Sequence, residues 1–195
     1  MNTSEELNTK LVLKQVQVVY GSQVKLEHCG TKTRLHSHPH MYSGGSYQQQ
    51  VTGFVGTDEN DWWEIKLCHE QIGADITRRV VQDGDMIRLE HCATKANLHS
   101  HSIQSSQTGQ QEVSCFKVDS GGDINDNWQL KMDCPGLHDL VVRGMRFRLI
   151  HVETGGSLHS HDIQDDKCFG QNEVTCFFGR DENDLFEISE QNFVL

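Results

Sequence analysis

Six of the chain's twelve histidines fall in three copies of one tetrapeptide, Leu-His-Ser-His, at Leu35 to His38, Leu98 to His101 and Leu158 to His161. Imidazole serves both metal ligation and proton transfer near neutral pH, so these residues come first for chemistry. On a strand, residues two apart point the same way about 7 Å apart, so each pair (His36 and His38, His99 and His101, His159 and His161) could reach one ion. No repeat offers an evident third ligand, and a structural motif explains triplication better than an active site does. No metal is therefore expected. The first histidine of each pair is expected to cap a hairpin or bond neighbouring backbone, and the pairs together form a candidate partner or ligand surface. Asp61, Asp126 and Asp184 join that surface. Each follows an asparagine and precedes an aromatic residue two positions on, in Trp63, Trp128 and Phe186. The alternative is that these aspartates cap acidic turns around core aromatics.

No nucleophile with a nearby base stands out: there is no Gly-x-Ser-x-Gly, no phosphate-cradling loop and no His-Glu-x-x-His. The acidic turns Asp58 to Asp61 and Asp181 to Asp184 do not have the spacing of a calcium loop. Neither a catalytic residue nor a cofactor is expected.

The elements that must position these residues recur with the same period, near sixty. Val24-Lys25-Leu26-Glu27-His28 alternates apolar and charged residues as a half-buried strand does, and returns at Ile87 to His91 and Phe147 to His151. A threonine follows three residues later (Thr31, Thr94, Thr154), and Leu-His-Ser-His is then read as the return strand of a hairpin. A third strand carries Val51, Val113 or Val174, and a fourth carries the Asn-Asp-x-aromatic run. Four strands per repeat give twelve, in repeats of about 19–76, 82–134 and 142–190. One such unit cannot bury its apolar face alone. Three closing about a pseudo-threefold axis share a core of Leu35, Leu98 and Leu158, Val51, Val113 and Val174, and Trp63, Trp128 and Phe186. Short connectors predict one domain over 11–195, after a polar lead-in over 1–10 expected to be disordered.

Composition agrees with an all-β chain: 17 glycines, 2 prolines and 35% apolar residues in 195. A net charge of −11 repels phosphate backbones, so nucleic acid is a poor partner. No apolar run reaches the roughly 20 residues of a spanning helix. The seven cysteines contain no C-x-x-C and read chiefly as small buried hydrophobes. Met1 to Glu6 lacks the basic and apolar regions of a secretory signal and Gln191 to Leu195 is no retention tetrapeptide, so either a cytosolic chain or one whose leader was removed is expected.

With Arg34 to His38, Gln48 to Gly53, Asn97 to His101 and Gln111 to Ser114 in view, the chain resembles a tandem of three MIR repeats. The resemblance spans about Val19 to Ile188 and implies a β-trefoil. A stand-alone arrangement with Tyr42-Ser43-Gly44-Gly45-Ser46 leading into Gln-Gln-Gln-Val resembles the stromal cell-derived factor 2-like branch. That branch implies a place in the endoplasmic reticulum lumen or secretory pathway and chaperones or co-chaperones as protein partners. The MIR segment of protein O-mannosyltransferases is the other similar branch, and it implies recognition of glycans or of a Ser/Thr-rich acceptor. The intact His159-Ser160-His161 favours the stand-alone branch.

Overall fold

A computed structural model describes residues 17–117, 121–134 and 140–192. The lead-in over 1–10 lies outside the described residues. Twelve strands run through the described residues: β1 (Gln23–His28), β2 (Arg34–Met41), β3 (Gln49–Phe54), β4 (Trp62–Leu67), β5 (Met86–His91), β6 (Asn97–Gln104), β7 (Gln111–Phe116), β8 (Trp128–Met132), β9 (Arg146–His151), β10 (Ser157–Asp165), β11 (Gln171–Phe177) and β12 (Phe186–Asn192).

Their pairing is a β-trefoil. The first and fourth strands of each repeat close a six-stranded barrel in the order β1, β4, β5, β8, β9, β12 and back to β1. The middle strands form three hairpins, β2 with β3, β6 with β7 and β10 with β11. One end of the barrel is capped where β3, β7 and β11 pair with one another around the axis. Closure leaves the barrel without an open edge.

One expected pairing is corrected. Leu-His-Ser-His is not the return strand of β1, because β1 and β2 pair only at Glu27 with Arg34. The barrel claims β1 for β12 and β4, so β2 turns away at the Thr31 turn and ladders with β3 from Arg34 to Met41.

Leu35, Leu98 and Leu158, the three valines and the three aromatics all lie in the core, at most 2% exposed. The period of two turns Leu35 and Ser37 inward. Ser37 is accommodated because its hydroxyl donates to the Gln50 carbonyl, as Ser100 does to Glu112 and Ser160 to Glu173. Trp63 and Trp128 donate their indole N–H to the carbonyls of Leu35 and Leu98, at 2.9 and 3.0 Å. Phe186 holds the third equivalent place without a donor. Trp128→Phe is accordingly expected to fold normally and to cost about 1 to 3 kcal/mol for the lost hydrogen bond and the small void. Chemical unfolding of the variant beside the parent checks this.

All seven cysteines are free thiols. Burial pushes Cys115 and Cys176 up to about 12, which leaves them inert packing groups.

Candidate functional site

Each repeat folds its acidic run into a single 3-10 turn before the fourth strand, at Glu59–Asp61, Ile124–Asp126 and Glu182–Asp184. Asp58, Asp123 and Asp181 cap these turns, and the last turn residue returns its carboxylate to the cap's own N–H, a reciprocal capping box. The other oxygen of that carboxylate takes the ring of the first motif histidine. His36 Nδ1 meets Asp61 at 2.9 Å, His99 meets Asp126 at 2.9 Å and His159 meets Asp184 at 2.8 Å. A phenylalanine from the paired strand covers each ring: Phe54, Phe116 and Phe177, with centroids 4.8 to 5.0 Å away.

This overturns part of the expected surface. His36, His99 and His159 are at most 3% exposed, and Asp61, Asp126 and Asp184 are fully buried. Alternation sets the histidine opposite the leucine, but the capped turn folds over that side of β2, β6 and β10, so both faces are covered. Each first histidine bonds a buried carboxylate, where backbone or hairpin contacts were expected. His38, His101 and His161 keep partial exposure and remain candidates for contact.

The outer histidines differ. His101 Nδ1 lies 3.0 Å from His99 Nε2, which makes a chain Asp126, His99, His101. His161 Nε2 is bonded to Glu173 at 2.9 Å. His38 stacks edge-on to His40 and to Phe169. Burial, then the neighbouring inner histidine, lowers the pKa of His38 and His101.

A further histidine set carries the joints between repeats and shows in the sequence only as a strand end. His28, His91 and His151 are fully buried. Each bonds its own turn threonine (Thr31, Thr94, Thr154) through Nδ1 at 2.8 Å. Each Nε2 reaches the backbone carbonyl of the asparagine beside a buried aspartate of another repeat: His28 to Asn183, His91 to Asn60 and His151 to Asn125. The carbonyl requires an N–H at Nε2. Nδ1 of His28 then accepts the Thr31 amide, and the ring is neutral. Burial pushes His28 and His91 down to about 4 and lowers His151 in the same sense. The recurrent His-x-x-Thr is the visible signal; its partner, 26 to 155 residues away, is not.

A second cyclic seam runs around the capped end. Glu112 accepts from Ser46, Glu173 from Ser105 and Thr108, and Gln50 donates to the Lys167 carbonyl. Burial raises the Glu112 carboxyl. Burial acts the same way on Glu173, but hydrogen bonds from His161, Ser105 and Thr108 outweigh it and hold that group below the usual range. The cavity between Tyr42, Thr52, Glu112 and Glu173 has room for about one water.

Three groups have metal-ligating character: His36 with Asp58 and Asp61, and its counterparts His99, Asp123, Asp126 and His159, Asp181, Asp184. Their facing atoms are already spent, because each Nδ1 bonds a carboxylate and each carboxylate accepts turn N–H groups. Chemically the arrangement fixes imidazoles and presents a few of them outward. No helix among the described residues is long and apolar enough to cross a membrane.

The MIR domain family model matches residues 34–189, a span that takes in all three buried histidine and aspartate pairs. The chain belongs to the MIR domain family. Among similar proteins is the stromal cell-derived factor 2-like protein of Arabidopsis thaliana, 40% identical over 162 residues, which are 83% of this chain and 72% of that one. The crystal structure of the SDF2-like protein from the same plant superposes with a TM-score of 0.85 at 38% identity, covering 92% of this MIR chain and 98% of the other. The S. cerevisiae protein O-mannosyltransferase Pmt1-Pmt2 complex bound to the sugar donor also matches, with a TM-score of 0.82 at 34% identity. There the match covers 91% of this chain and 26% of the larger one, so the likeness is to one part of that enzyme.

Proposed function

We propose that this MIR chain is a non-enzymatic binding module of the secretory pathway, a chaperone-associated accessory factor in endoplasmic reticulum protein folding and quality control. The observation that carries the reading is the near end-to-end likeness to the SDF2-like structure, 92% and 98% coverage, in a fold whose motif histidines are largely taken up by internal bonds. What is left for recognition is the outer rim: His38, His101 and His161 and the loops beside them.

Two rim residues support binding independently of likeness. Tyr47 and Phe169 each stand two positions before the glutamine that precedes or opens the third strand's pairing, where the second repeat has Gly109. All three take a left-handed backbone, with φ of 58°, 60° and 74°. Glycine adopts that conformation freely, whereas a bulky residue is strained. Both aromatics are more than 60% exposed, so folding gains little from them. Phe169→Gly is expected to leave stability within about 1 kcal/mol of the parent while weakening partner capture. The test is affinity capture from secretory-pathway lysate with mass spectrometry. Chaperones or co-chaperones recovered by the parent, and reduced with Phe169→Gly or His38→Ala, support the reading; their absence with the folded parent overturns it.

A second reading, recognition of glycans or a Ser/Thr-rich acceptor in protein O-mannosylation, is favoured by the mannosyltransferase likeness and by exposed aromatic faces that suit sugar stacking. Silence on an array of mannosides and mannosylated peptides would remove it.

A further inference from the structure

The second repeat differs from the other two at its outer histidine. In the third repeat Glu173 occupies the outer ring, whereas the equivalent Glu112 is turned to Ser46 and leaves His101 free to face His99. The inner ring is also held more completely here. Asp126 receives His99 Nδ1 on one oxygen, and the Asn97 amide and the Asp123 N–H on the other; Asn97 has no counterpart at Arg34 or Ser157. With Nδ1 hydrogen-bonded to the Asp126 carboxylate, the His99 ring directs Nε2 toward His101. A histidine oriented in this way by a buried carboxylate has the arrangement found behind metal-bound imidazoles.

We propose that His99 and His101 chelate a divalent cation of borderline softness and tetragonal preference, Cu2+ or Ni2+, with water completing the coordination. Two nitrogens 3.0 Å apart, each about 2.05 Å from a common ion, subtend an angle of about 95° at the metal. That is close to the right angle of a tetragonal site and well short of the tetrahedral angle zinc prefers. The ion takes the place of the proton now shared between the rings. His101, only half-buried, turns its ring in place, keeping the 3.0 Å separation while Nδ1 comes to face the ion, and moves its proton from Nδ1 to Nε2, so the exchange releases no net proton from the pair. Hard cations such as Ca2+ and Mg2+ are not expected to bind, because they require oxygen ligands. The absence of a third protein ligand, which argues against metal from sequence alone, limits the site to a surface chelate rather than a structural centre.

The test is Cu2+ titration of the chelator-stripped full chain by calorimetry, with electron paramagnetic resonance to count bound nitrogens. The parent is expected to bind one equivalent with two-nitrogen hyperfine structure. His101→Ala, a rim change that leaves the Asp126 to His99 bond intact, should lose that equivalent or weaken it at least about tenfold. His161→Ala and the double variant His38→Ala, His40→Ala should keep it. Retention of every equivalent by His101→Ala, an equal loss in the His161 or His38 and His40 variants, or a parent that binds none, each overturns the proposal.

Discussion

Asp126→Ala is expected to lower stability by about 3 to 5 kcal/mol, a large fraction of what a domain of this size possesses. The change strips one carboxylate of three donors at once: the His99 ring, the Asn97 amide and the Asp123 N–H that closes the capping box. His99 is then buried with an unpaired N–H, and the turn that covers β6 loses its reciprocal cap. The melting temperature should fall by about 10 °C. His101→Ala, two residues along the same strand and half-buried, should change it little. A urea unfolding series of the two variants checks the contrast, and equal midpoints for Asp126→Ala and the parent would show that the carboxylate is not holding the turn.

The second large effect is acid sensitivity. His28 and His91 have folded pKa values near 4 against about 6.5 unfolded, with burial as the chief cause. Between these values the unfolded chain binds protons that the native chain refuses, so stability falls as pH falls. The stabilisation is complete above about pH 6.5 and drains away as pH drops toward 4. With an allowance for solvent screening, each ring withdraws about 2 to 3 kcal/mol across that window, and His151 adds to the loss in the same direction. Because His28 joins the first and third repeats, and His91 and His151 the others, protonation attacks the seams of the barrel rather than its core. Unfolding free energy measured from pH 7 to pH 4 should show the decline. His91→Gln, less stable at pH 7, should show a shallower one, and a slope unchanged by that substitution would place the proton uptake elsewhere.

Much of this architecture is legible in the sequence because repetition multiplies weak signals. A single Leu35 or Trp63 says little, but three leucines, three valines and three aromatics at one period define a core, and the period gives the strand count. The hairpin partner of β2 is not legible, because adjacency along the chain favours β1, while the barrel's closure requires β1 for β12 and β4. The burial of His36 was hidden for a related reason. Alternation along one strand specifies which side a ring takes, not what folds over that side, and Asp61 lies 25 residues away on a turn whose approach exists only in three dimensions. The His28 clasp to Asn183 spans 155 residues and uses a backbone carbonyl, which no side-chain pattern can announce. The acidic composition of the turns suggests caps, but nothing in it shows that Asp61, Asp126 and Asp184 both complete the capping boxes and anchor the histidines.

What emerges is a division of the histidines by task. Two sets of three are internal fasteners, one to buried aspartates and one between repeats. The outer set, with His40, faces outward and is the part offered to a partner. Carbethoxylation by diethyl pyrocarbonate, mapped residue by residue with mass spectrometry on the native protein at neutral pH, tests that division directly. The expected result is reaction at His38, His40, His101 and His161, with His28, His36, His91, His99, His151 and His159 protected until the chain is unfolded. Modification of His36, His99 and His159 as fast as His40 in the native protein would contradict the account.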